Sequence, residues 1–354
     1  LMKTAPVLAE LGRRSDRFAS VLVHTGQHYD REMSAVFLEE LGVGAPDHVL
    51  GVGSGTHAQQ TARVMERLEP LLVELRPDLV LVPGDVNSTL AAALTAAKLE
   101  IPVAHLEAGL RSFDRSMPEE LNRLLTDALA EVHLIHSPEA RDNLLREGAS
   151  DASIHFVGNT MIDTLVAMRH RSEVHDAPAR FGLHEREYLV VTLHRPALVD
   201  GPPLATAVAH LAEVARELTV VFPVHPRTRA ALDSFSVGDG RRLRLLPPLG
   251  YLDFLGLMAG ATAVLTDSGG IQEETTALGI PCFTLRDTTE RPITVELGTN
   301  TVLGLDPDKI KEVPRLLREK GRRPAQVPPL WDGHAAERVV DAMEQFLGER
   351  GDRQ

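Results

Sequence analysis

Residues Ala263–Glu274 read AVLTDSGGIQEE. An apolar run ends in a polar residue, passes through two glycines and resumes with helix-forming composition, which is the strand, turn and helix step of an α/β sheet. Gly269 and Gly270 let backbone N–H groups come close to an anion, and a helix start adds about half a positive charge. A diphosphate fits such a turn, with the Ser268 hydroxyl as a further donor. On local pattern alone the Gly-Gly pair serves equally well as an ordinary turn. Glu273 and Glu274 are expected in the first helical turn, where the helix dipole accounts for one and leaves the other to accept from ribose hydroxyls.

The same rhythm extends in both directions. Toward the N-terminus stand SVLVHTG, LVLVPGD, VAHLEAG, VHLIHS and IHFVGN; the later half holds YLVVTLHR, VVFPVHP, RLRLLPP, CFTLRD and TVLG. The connections, such as Ala58 to Leu75 and Leu204 to Leu218, carry apolar residues at spacings of three and four. Alternating strands and helices over 354 residues predict an α/β chain of two doubly wound, Rossmann-like domains. The polar segment Arg169 to Arg186 is the expected joint, placing the first domain at 1–175 and the second at 176–334. A last helical pattern, Ala335 to Leu347, follows Pro324, Pro328 and Pro329, and segment 335–354 is expected to pack back on the first domain.

In open parallel sheets, ligands sit beyond the carboxyl ends of the strands. Asp85, Glu107, His194, His225 and Asp267 all fall at such ends. In HLEAGLRSFDRSMPEELNR (105–123), Ser116, Pro118 and Glu119 look like a helix start, and Glu119 and Arg123 share a helix face. A lone surface pair of that kind contributes only a few tenths of a kcal/mol. Here Asp85, Glu107, Arg111, Glu119 and Arg123 crowd one predicted sheet edge, where so many charges are costly without a ligand. His194 reads as functional, and His225 as either functional or structural. Arg286, Glu290 and Arg291 form either a solvated loop or a diphosphate clamp, and Phe254 either core or a base-stacking surface.

Composition narrows the partners. A formal charge of -13 argues against nucleic acid and anionic membranes, and no apolar run approaches the roughly 20 residues of a membrane helix. The single cysteine, Cys282, reads as a buried strand residue and suits a reducing cytoplasm. The fifteen histidines show no metal-ligand spacing, so no metal is expected.

Taken in order, LMKTAPV, TGQHYD, PDLVLVPGDVNST, HLEAGLRSFDRSMPEELNR, GNTMID, HRPALVD, PVHPRTR, LTDSGGIQEE and RDTTERP resemble the non-hydrolysing UDP-N-acetylglucosamine 2-epimerase family nearly end to end. The resemblance implies the glycosyltransferase-B architecture, two domains facing a central cleft, and a homodimer. It implies reversible conversion of UDP-N-acetylglucosamine to UDP-N-acetylmannosamine by elimination of UDP and re-addition to 2-acetamidoglucal, with no cofactor and no obligatory metal. By matching position, the catalytic acids fall on Asp85, Glu107 and Glu119 and the catalytic histidine on His194. UDP contacts fall on Lys3, Arg123, Ser268, Glu274 and Arg291.

The chain departs from the family pattern in four places. It begins just after the family's first strand and Gly-Thr-Arg-Pro-Glu turn, so that strand is expected to be absent. Pro196, Ala197 and Leu198 follow His194-Arg195 where His-Arg-x-Glu-Asn is usual. The glutamate lost there helps some members hold a second, activating sugar nucleotide beside the TGQH segment (Gln27 and His28 here), so hyperbolic kinetics are expected. Ile293 replaces a glutamate and Val86 a threonine. A related glycosyltransferase, a hydrolysing epimerase and a catalytically impaired fragment stand as the alternatives.

Overall fold

The structure, a computed structural model, describes residues 1–26, 39–199, 202–224, 228–229, 232, 242–320 and 326–351. It divides into two compact units, Leu1–Thr164 with Pro329–Gln354, and Leu165–Pro328.

In the first unit, β1 (Val23–His24) pairs in parallel with β2 (His48–Val49), a two-residue strand too short to show as a pattern. A separate four-stranded parallel sheet contains β3 (Val80–Pro83), β4 (Val103–Leu106), β5 (Val132–Ile135) and β6 (Ile154–Phe156), side by side in chain order. Alternation along the strands sends side chains to two covered faces. Val82 and Val103 pack against Leu68 and Leu72 of helix His57–Leu75 and Ala93 and Ala96 of helix Asn87–Lys98. Ala104, Leu106, Val132 and Leu134 pack against Val7 and Leu11 of helix Ala5–Arg13 and Val339, Val340 and Met343 of helix Ala335–Gly351. Chain start and chain end thus cover the same side of this sheet.

The returning segment is tied down by polar contacts as well. Trp331 Nε1 donates to the His136 carbonyl at 3.0 Å. The Asp163 carboxylate accepts from the backbone N–H groups of Ala335 (3.1 Å) and Ala336 (2.7 Å), capping the last helix from a distant part of the chain. Buried Trp331 belongs with the first unit, so that unit regains the chain at Pro329 rather than at 335. The division after Thr164 lies inside helix Thr160–His175, before the joint expected near 175, because the buried first turn, Met161 to Asp163, packs with the first unit.

The second unit holds one six-stranded parallel sheet of β7 (Tyr188–Thr192), β8 (Thr219–Pro223), β9 (Leu243–Leu246), β10 (Ala263–Thr266), β11 (Cys282–Thr284) and β12 (Asn300–Val302). Its order, β12-β11-β10-β7-β8-β9, is that of a dinucleotide-binding sheet, with the direction of winding reversing between β7 and β10. Leu189, Val191, Phe222 and Leu265 face Leu204, Ala207 and Leu211 of helix Pro202–Val214. Val190, Val221, Val264 and Cys282 are just as deeply buried, which is why these strands read as continuous apolar runs. Burial pushes the Cys282 thiol up to about 11, leaving it protonated and inert.

Candidate active site

The first unit collects its acidic residues just past β3 and β4. Asp85 lies in the turn after β3, its Oδ2 3.4 Å from Arg123 Nε. Glu107 directly follows β4 in a left-handed conformation, φ +70°, that costs a non-glycine residue energy and is held only where its surroundings require it. Its carboxylate is buried and meets Lys3 Nζ at 2.5 Å. That Nζ also lies 3.1 Å from where a Cβ on Gly84 would stand, so one ammonium spans the two acid-bearing turns. Glu119, half-buried, is in the first turn of helix Pro118–Leu129, and its backbone carbonyl accepts from Arg123 Nε at 3.3 Å. The ion pair of Arg123 on its own helix is with Glu120, at 3.3 Å, and not with Glu119 as the four-residue spacing suggests. Arg123 is 1% exposed, yet its terminal nitrogens have no hydrogen-bond partner among the described residues. A buried guanidinium with open donors beside a carboxylate suits an anionic, oxygen-rich ligand.

Beneath this edge runs a polar layer that no local pattern announces. Asp127, on the same helix, accepts from His105 Nδ1 (2.5 Å) and from the Gly109 backbone N–H (3.0 Å), and pairs with Arg111 (2.7 Å). His105 Nε2 faces the Gly84 carbonyl at 2.8 Å, and Asn122 donates to the Asp85 carbonyl at 2.9 Å. Glu120 accepts from the N–H groups of Ser112 and Phe113, both at 2.9 Å. One helix therefore holds the turns carrying Asp85 and Glu107 together with the loop that follows. Burial alone would raise Asp127, but His105 and Arg111 hold it below the ordinary aspartate value, so it is ionised.

In the second unit the site residues gather at the point where the winding reverses. Asp267, fully buried after β10, accepts through Oδ2 from the backbone N–H groups of His194 (2.9 Å) and Arg195 (2.8 Å), which follow β7. Its Oδ1 lies 2.6 Å from His194 Nδ1. Burial acts to raise Asp267, and the His194 ring and these backbone donors bring it below its ordinary value. Ser268 caps helix Gly269–Leu278 without using its side chain on the helix, which leaves the hydroxyl at the helix mouth. Gly269 faces a crowded spot: a Cβ there would run into the Arg291 guanidinium, which is buried and held by Glu273 and Glu290. Gly270 follows it in the first turn of that helix.

Several expectations need correction here. The helix starts at Gly269, so Glu273 and Glu274 lie beyond its first turn and answer to partners other than the dipole. Glu273 pairs with Arg291 Nε at 2.7 Å, and Glu274 accepts from the Tyr251 hydroxyl at 2.8 Å. Burial lifts Glu274 to about 7, with the Tyr251 hydrogen bond opposing the shift. Arg286, Glu290 and Arg291 are no solvated loop, since all three are buried and Glu290 pairs with both arginines. Phe254 is half-buried on helix Tyr251–Ala259. Gln27, His28 and His225 lie outside the described residues. Asp127 and Asp163 are the influential carboxylates that the sequence does not single out, because each finds its partners across a long stretch of chain, while Asp267 is placed at a ligand-side strand end without its partner being evident. Asp267 did carry a signal, standing between a strand and a Gly-Gly turn. Among the described residues no group of three or more His, Cys, Asp or Glu side chains could hold a metal ion, and no helix is long and apolar enough to cross a membrane.

A sequence model of the family described as UDP-N-acetylglucosamine 2-epimerase matches residues 10–344. A UDP-N-acetylglucosamine 2-epimerase of Methanococcus maripaludis is 38% identical over 96% of this chain and 94% of its own length. A UDP-2,3-diacetamido-2,3-dideoxy-D-glucuronate 2-epimerase of Pseudomonas aeruginosa is 39% identical over 88% of this chain and 87% of its own. The crystal structure of a Methanocaldococcus jannaschii UDP-GlcNAc 2-epimerase in complex with UDP-GlcNAc and UDP matches with a TM-score of 0.89, at 38% identity, over 97% of this chain and 96% of that one. With acid-bearing turns at the carboxyl edge of one parallel sheet, a glycine-opened helix mouth at the edge of another, and a family match over nearly its whole length, the chain belongs to the UDP-N-acetylglucosamine 2-epimerase family.

Proposed function

We propose that this chain reversibly inverts C2 of UDP-N-acetylglucosamine to give UDP-N-acetylmannosamine, without hydrolysing the nucleotide sugar. The observation that carries the reading is the group of Asp85, Glu107 and Glu119 around Lys3 and buried Arg123. The C2 proton is weakly acidic and the leaving group is a diphosphate. Elimination therefore needs a base at C2 and stabilised charge on departing UDP. Removing the C2 proton forms the C1–C2 double bond of 2-acetamidoglucal as the C1–O bond to UDP breaks. Protonation of C2 from the opposite face and return of a UDP oxygen to C1 complete the inversion, and no atom is left over. Glycosyl transfer needs no base at C2, so a cluster of carboxylates favours epimerisation.

In this reading the first unit supplies the carboxylates, while Ser268, Gly269, Gly270, Glu274 and Arg291 of the second hold UDP, Phe254 lies beside the base and His194 acts on the reacting groups. The protein works as a cytoplasmic homodimer and uses no metal or cofactor. Incubation with UDP-N-acetylglucosamine in D2O should replace the C2 proton with deuterium and produce the manno epimer, both followed by proton NMR. Glu119→Gln and His194→Asn should abolish the exchange while UDP still raises the melting temperature. Failure of the parent protein to exchange at C2, with exchange on the 2,3-diacetamido uronate instead, would move the chain to that substrate.

A further inference from the structure

We propose that Asp267 is a positioning residue for His194, fixing which ring nitrogen carries the proton. The proposal rests on the reading of His194 as a group that acts on substrate, and adds to it the buried partner that sets its chemistry.

The two residues meet because the sheet brings them together. β7 and β10 are paired with Thr192 opposite Thr266, and the two threonine hydroxyls bond at 2.7 Å. The chain leaves both strands at this level, so His194 and Asp267 are neighbours at the point where the winding reverses. Asp267 has 0% of its surface exposed and is anchored through Oδ2 by two backbone N–H groups. Its other oxygen, Oδ1, is buried too and has no hydrogen-bond partner among the described residues, and His194 Nδ1 lies within ion-pair distance of it at 2.6 Å. A buried carboxylate oxygen left without a donor is costly, and a proton on the neighbouring Nδ1 is the one that can relieve it, which favours the Nδ1-protonated ring. The His194 side chain is 59% exposed, while the carboxylate oxygen beside Nδ1 is buried.

A neutral ring protonated on Nδ1 carries a lone pair on Nε2. It takes up a proton there, becomes an imidazolium balanced by the Asp267 charge, and gives the proton back. No other reactant is needed. The same carboxylate holds the ring's orientation through the two backbone donors, one of which belongs to His194 itself. Asp267 also immediately precedes Ser268, so the residue beside the histidine adjoins the turn assigned to the nucleotide in this reading.

Asp267→Asn separates this role from that of holding the turn. An asparagine offers one accepting end and one donating end. Two backbone N–H groups already point at the Oδ2 position, so the amide oxygen must go there and the amide NH2 must face His194 Nδ1. Nδ1 then has to accept, and the ring proton moves to Nε2. The backbone hydrogen bonds survive while the tautomer inverts.

The test uses the full chain with 15N-labelled histidine, the His194 signals being identified by their loss in His194→Gln. In the parent protein the neutral His194 ring should show the Nδ1-protonated pattern; an Nε2-protonated ring would overturn the proposal without any change at Asp267. In Asp267→Asn the pattern should invert. kcat for C2 deuterium uptake should fall on the order of a hundredfold or more, as expected when a histidine is held in the wrong tautomer. KM and the rise in melting temperature with UDP should stay within about twofold of the parent. Parental tautomer and parental kcat in Asp267→Asn would reduce Asp267 to a holder of the turn. Parental exchange in His194→Gln would instead remove His194 from the reaction, and the tautomer comparison would still decide what Asp267 does.

Discussion

Asp127 and Glu274 are both carboxylates deep in the protein, yet burial leaves them in opposite states. Asp127 has Arg111 and His105 against it and stays ionised below the ordinary 3.8. Its folded value lies under its unfolded one, so the stability it contributes is present above about pH 4 and is lost as pH falls through the folded value. Asp127→Ala would leave the Arg111 charge buried beside only Glu147 and should cost about 3 to 5 kcal/mol, measured by urea unfolding. Glu274 has a tyrosine hydroxyl and another glutamate as neighbours, and burial raises it from 4.5 to about 7. Here the folded protein keeps a proton that the unfolded chain releases. Stability therefore declines as pH rises between 4.5 and about 7. Without nucleotide, the melting temperature of the parent should drop across that window more steeply than that of Glu274→Gln, and parallel curves would contradict the assignment. None of this was legible in the sequence, since the sign of each shift depends on partners such as Arg111 and Tyr251 that only folding delivers. What was legible was placement: Asp85, Glu107 and His194 stand directly after apolar runs, and the carboxyl ends of parallel strands follow from that position alone.

Among elements, strands read more clearly than helix starts. A run such as YLVVT has few readings, whereas a helix start turns on one residue. Ser116 looked like a cap, but the cap is Met117 with Pro118 in the first turn, and Ser116 instead donates to Asp114. The placement of Glu273 and Glu274 shifted for the same reason, once the two glycines proved to be part of the helix rather than a turn before it. This has an energetic consequence at Gly269, where helix and Arg291 lie too close for a side chain. Gly269→Ala would ordinarily favour a helix by up to about 1 kcal/mol. Overpacking against the buried Arg291 should reverse the sign and cost about 1 to 3 kcal/mol. The rise in melting temperature with UDP should shrink in the same variant, and an unchanged rise would separate this helix mouth from the nucleotide.

For the molecule as a whole, the first unit is built from two pieces of chain. The cap that Asp163 places on helix Ala335–Gly351 should contribute about 0.5 to 2 kcal/mol, seen as a lowered melting temperature in Asp163→Ala. The amphipathic pattern of that helix was legible, as was its separation from the proline-rich stretch before it. The cap was not, because Asp163 is far away in the chain, and no spacing rule reaches across the second unit.

That construction also has a meaning in time. The sheet face formed by Ala104, Leu106, Val132 and Leu134 is covered in part by Val339, Val340 and Met343. A ribosome adding about 5 to 20 residues per second needs roughly ten to thirty seconds to make the intervening residues 165–334. During that interval the nascent first unit presents a greasy, unfinished wall while the six-stranded sheet of the second is completed behind it. Translation rate and the holding factors that bind newborn chains therefore have more leverage on the yield of this protein than its finished architecture suggests.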